Sequence, residues 1–87
     1  MKKLEYFDEN ELVLDEVKKL LKEEVNSVIY YKWIHDLEIE SIDNEKIVLI
    51  VHSDKQKEAI ERRFYVLLFH TFEYVTKKER KIEAILK

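Results

Sequence analysis

Apolar residues recur every three or four positions early in the chain and every second position in its middle. Val13, Val17, Leu20, Leu21 and Val25 lie at helical spacing, with lysines and glutamates between them. This pattern predicts an amphipathic helix over about residues 9–25. Asp8 and Glu11 form a capping box at its start. Asn26-Ser27 interrupts the pattern, and either residue can cap a second, short helix over about 27–35. Ile29, Trp33 and Leu37 then fall four residues apart, with Tyr30 and Ile34 beside them. Trp33, Ile34 and Leu37 are expected to face inward, because a Trp at this spacing is explained by burial.

After Leu37 the period becomes two. Leu37, Ile39 and Ile42 alternate with Glu38 and Glu40, and Asp43-Asn44-Glu45 reads as a turn in which Asn supplies the left-handed backbone. Ile47 to Val51 is apolar on both faces, which predicts a central strand paired with the first as an antiparallel hairpin. Ser53 and Gln56 form another capping box. One long helix is expected over about 54–76, its stripe made of Ile60, Phe64, Leu67, Leu68, Thr71 and Val75. Tyr65, Phe69 and Tyr74 lie off that stripe and are either buried by close packing or left as an exposed apolar patch of the kind that marks interfaces. Lys77 to Arg80 is a charged turn, its cations near the helix C-terminus where the dipole favours them. Ile82, Ala84 and Leu86 alternate with Lys81 and Glu83 as a last strand. The order is α-α-β-β-α-β, an α+β sandwich in which helices cover one face of a three-stranded sheet.

Composition narrows the function. The chain has 87 residues, enough for one domain, with residues 1–8 expected as a flexible lead-in to a module over 9–87. It carries 16 basic and 19 acidic residues, a formal net charge of −3. Strong nucleic-acid binders show a basic excess, which is missing here. There is no cysteine, which excludes disulfides and thiolate chemistry. There is no glycine and no proline, which excludes Gly-rich phosphate loops. No apolar run reaches membrane-spanning length and the N-terminus turns acidic early, so the expected location is cytoplasmic, without membrane contact. His35, His52 and His70 lie on different elements, too scattered for a metal site. No set of residues suggests a nucleophile, so neither catalysis nor a cofactor is expected.

The order Tyr30, Trp33-Ile34, Leu37, then the strand Ile47 to Val51, a short polar cap and Arg63-Phe64 resembles the N-terminal domain of the bacterial replication initiator DnaA. The resemblance covers roughly residues 12–86 and ends where the family's linker begins. It implies a KH-like fold and a non-catalytic protein-interaction module of replication initiation. The implied partners are the replicative helicase, a replication regulator or, weakly, a second copy. The implied partner-binding residues are Asn26, Ile29, Tyr30, Ser53, Asp54, Lys55, Gln56 and Ala59. Self-association falls on Leu14, which aligns with a family aromatic, together with Lys18 and Leu21. The chain departs from the family at several positions. Asp36 and His52 stand where Pro is common, Ala59 where an aromatic is frequent, Ile29 where some members carry an acid, and Lys55 where an apolar residue is usual. A second reading is a weak single-stranded DNA binder using Lys55, Lys57, Arg62 and Arg63 beside Phe64 and Tyr65, since basic groups among aromatics can hold single strands. The Gly-bearing loop of a true KH clamp is missing.

Overall fold

The computed structural model describes residues 8–87. The expected lead-in at residues 1–8 lies, apart from Asp8, outside the described residues. Helix α1 is Glu9–Glu24, and Asp8 caps it by accepting the Asn10 N–H at 2.9 Å. Its core-facing row is Leu14, Val17 and Leu21, with Val13 and Leu20 half-buried at the margin. Leu14 therefore sits inside the stripe that the spacing placed it beside.

Helix α2, residues 27–34, opens with one α-turn, Ser27–Ile29, and continues as a π-helical turn, Tyr30–Ile34. The His35 N–H reaches five residues back to the Tyr30 carbonyl at 2.9 Å. Strand β1 is Glu38–Ile42 and β2 is Lys46–Val51. They pair antiparallel, with an irregularity between Ile39 and Ser41. The turn is built by Asp43 rather than Asn44. The Asp43 carboxylate accepts the N–H groups of Glu45 and Lys46 at 2.8 and 2.9 Å. Those two hydrogen bonds hold its pKa below the ordinary carboxylate range. The one positive φ among the described residues is at Lys77, 63°, where a helix ends in the left-handed conformation usually given to glycine.

The expected long helix over 54–76 is two helices. Helix α3, residues 54–63, joins an α-turn, Asp54–Glu58, to a second π-helical turn, Ala59–Arg63. Phe64 leaves helical geometry (φ −106°, ψ 7°), and α4, Tyr65–Thr76, starts after it. Packing explains the break. Ile60, Phe64, Leu68 and Phe72 are all buried at steps of four. In a straight α-helix each such step turns about 40° past a full rotation, so three steps would carry the last ring well away from the sheet. The wider π-turn and the kink absorb the drift. Phe72, which the stripe left out, is thereby buried in the core, and Thr71 and Val75 are its half-buried flanks.

Strand β3, Lys81–Leu86, pairs parallel with β2, so β2 is central in the order β1-β2-β3. The core gathers Val17 and Leu21 of α1, Ile34 of α2, Ile47, Leu49 and Val51 of β2, Ile60, Phe64, Leu68 and Phe72, and Ile82 and Ala84 of β3. The fold is α+β with a mixed three-stranded sheet. No helix of the described residues is long and apolar enough to cross a membrane.

Candidate protein-docking face

The link between α2 and α3 is one glutamine. Gln56 is 4% exposed. Its amide donates to the Trp33 carbonyl at 3.0 Å and to the Asp36 carboxylate at 2.9 Å, and its carbonyl accepts the His52 N–H at 2.8 Å. The Ser53 hydroxyl accepts the Gln56 N–H at 3.1 Å. Half of the expected capping box therefore forms locally. The other half reaches across to the end of α2, because the amide is long enough and its burial demands full pairing. Gln56 is a bolt between two helices, not a surface contact.

Several other sequence-predicted site residues are also used inside the fold. Tyr30 is buried, and burial raises the pKa of its hydroxyl. The Asn26 side chain is exposed but occupied as the cap of α2, accepting the N–H groups of Val28 and Ile29 at 2.9 and 3.2 Å. Ile29 is half-buried against the core. Ser53, Asp54 and Lys55 are exposed, while Ala59 is nearly buried.

The three expected self-association residues do not form a free surface. Leu21 is fully buried and Leu14 nearly so. The Lys18 ammonium donates to the His35 carbonyl at 2.7 Å, capping the end of α2, and burial lowers its pKa. Leu21 already lies on the apolar row of α1, where its burial agrees with the helical spacing, whereas Leu14, one position off that row, is drawn into the core beside it.

The expected basic strip is split. Lys57 turns under α3, donating to Glu61 at 3.0 Å and to the Ala84 carbonyl of β3 at 2.8 Å. Glu61 in turn accepts the Ala84 N–H at 3.2 Å, and the Tyr65 hydroxyl accepts the Ile82 N–H at 3.3 Å. Lys57, Glu61 and Tyr65, one helical turn apart, thus close the outer edge of β3. An open strand edge invites pairing with another chain, and side chains laid across it prevent this. Tyr65 is therefore not part of a free apolar patch. It stacks at 6.2 Å on half-buried Phe69, while Tyr74 and Val66 stand exposed.

Lys55, Arg62 and Arg63 take the opposite side. With Trp33, Glu58 and Ala59 they line a shallow depression of about 370 Å³. Both π-turns meet there: Trp33 comes from the first, and Ala59, Arg62 and Arg63 from the second. Such turns are rare and concentrate at functional sites. Trp33 is half-buried rather than internal, and the Lys32 ammonium lies 4.9 Å from the centre of its ring. The sequence places Trp33 inside; its position at the rim is not legible there because fourfold spacing does not reveal a π-turn. Ile34 and Leu37 are in the core as expected.

The face offers an aromatic ring, cations and a rigid frame, which suit binding. No group of three or more metal-ligating side chains gathers among the described residues. No curated protein matches the chain. The model of the DnaA N-terminal domain matches residues 11–73, from α1 through most of α4. That match covers well over half of the sequence, and the chain belongs to the DnaA N-terminal domain family, whose place is in replication initiation.

Proposed function

We propose that this domain docks other replication proteins through the joined face of α2 and α3, without chemistry of its own. The observation that carries this reading is the Gln56 bolt, which holds the end of α2 and the start of α3 as one surface. A preorganised surface loses little freedom on binding, so more of its contact energy appears as affinity. The contact residues on that surface are the exposed Ser53, Asp54 and Lys55, with half-buried Trp33 and Ile29 at the margin. The partner is the replicative helicase or a replication regulator, in line with family membership.

The test is binding of the purified helicase and replication regulators encoded in the same genome to the immobilised domain. Lys55→Glu and Ile29→Glu are expected to weaken capture at least about tenfold, which corresponds to ~1.4 kcal/mol. Circular dichroism checks that both variants remain folded. Lys19→Glu, an equal charge change on the outer face of α1, is the control and leaves binding unchanged. Equal binding by all four proteins would sink the proposal.

A further inference from the structure

The depression between the two π-turns is lined by three cations and one carboxylate. We infer that it receives an acidic segment of a partner protein, with one apolar side chain seated on Trp33 and Ala59 and its carboxylates held by Lys55, Arg62 and Arg63. This inference rests on the docking reading above and adds the chemistry of the partner.

The argument starts from unmatched charge. The whole chain is net negative, −3. Its lysines at 19, 46, 57 and 87 all pair with carboxylates within 4.0 Å. Among the described residues, no carboxylate lies within that distance of Lys55, Arg62 or Arg63. Three cations therefore face one carboxylate, Glu58, around the depression. The floor supplies the second element. Trp33 and Ala59 provide apolar surface, and the cation stems extend it. Aromatic and Arg side chains grouped in this way are typical of interface hot spots. Arg also binds carboxylates in a fixed two-point geometry, which sets register as well as attraction.

A single nucleic-acid strand fits less well. It needs cations that continue along a track and open ring faces for stacking. Lys57, the next cation along α3, is turned away under Glu61 and β3.

Panning a library of short random peptides against the intact domain tests the assignment. The library is counter-selected against Lys55→Glu and Arg62→Glu. Recovered peptides should be acid-rich with one aromatic or large aliphatic residue. A synthetic copy of a recovered peptide should lose about tenfold or more in affinity on Lys55→Glu or Arg62→Ala. It should also weaken steadily as salt rises and be unaffected by Lys19→Glu. In ¹⁵N spectra the perturbed signals should include the Trp33 indole, Ala59 and Arg62. Binders that need the same residues but are neutral or basic would overturn the acidic assignment and leave the docking face standing. Binders indifferent to all these substitutions, or none recovered, would overturn both. Tighter binding of an oligothymidylate, lost on the same substitutions, would make the depression a nucleic-acid site and overturn the inference.

Discussion

The two sides of α3 carry similar residues and put them to opposite uses. On one side Lys57 and Glu61, with Tyr65 at the start of α4 in line with them, are turned inward onto the edge of β3 and hydrogen-bonded to its backbone. On the other, Lys55, Arg62 and Arg63 stand around an open depression without a carboxylate partner among the described residues. A lysine two positions from another lysine thus belongs to the fold in one case and to the surface in the other. The difference is set by what lies beside each row, a strand with unpaired amides or open solvent. The chain's charge therefore has to be divided by side before it says anything about partners.

The comparison can be broken most forcefully at Ile60, which is fully buried in the core on this same helix. Ile60→Ala should cost about 2–5 kcal/mol in urea unfolding and degrade docking with it, because a cavity there disturbs both rows. Gln56→Leu comes next. It removes the hydrogen bonds of the buried Gln56 side chain to His52, Trp33 and Asp36, and the expected loss is about 1–3 kcal/mol. Docking should fall as well, since the bolt between α2 and α3 is gone; full docking with reduced stability would show that the face does not need it.

Glu61→Ala sharpens the sealed side, with an expected loss of about 1 kcal/mol as the Ala84 N–H and Lys57 lose their partner. This contribution depends on pH in a stated direction. The hydrogen bond from Lys57 holds the Glu61 carboxyl below its usual range, against a smaller opposing effect of burial. The folded state therefore binds that proton less readily than the unfolded chain. Its stabilisation is complete above the ordinary Glu pKa of about 4.3 and is lost as pH falls through the lowered value. The stability gap between the wild type and Glu61→Gln should close over that acid range, as read from unfolding curves at stepped pH. The smallest effect belongs to the open side. Lys55→Ala and Arg62→Ala should leave stability within about 0.5 kcal/mol of wild type, because neither side chain has a hydrogen-bond or carboxylate partner among the described residues. A large loss in either would erase the distinction between the two rows.

Element types were largely legible in the sequence. The spacing of Val13, Val17 and Leu21 marked α1, and the twofold alternation after Leu37 and after Lys81 marked the outer strands around an apolar centre. The turns inside the helices were not. Ile29, Trp33 and Leu37, and again Ile60, Phe64, Leu68 and Phe72, recur every four residues. A step of four lies midway between the 3.6 of an α-turn and the ~4.4 of a π-turn, so the pattern fits both. Phe64 breaks the helix with neither glycine nor proline to announce it. The candidate site was half legible. Lys55 is on the open face and the largely buried Ala59 lines it, but the fates of Gln56, Lys57 and Leu21 depend on groups about 20 or more residues away in sequence, or on a whole sheet. Local spacing carries no such information.

The closed edge of β3 has a consequence for how such a domain changes over generations. Where a partner adds its backbone to a strand, recognition and folding draw on the same hydrogen bonds, and neither can drift alone. Here that edge is already filled by the domain's own side chains. On the docking reading proposed above, recognition then falls to a few side chains on the far side of the helix. Exchanging those residues can hand the domain to a new partner at almost no cost to its stability. One lineage could then alter its contacts freely while the scaffold beneath them stays the same.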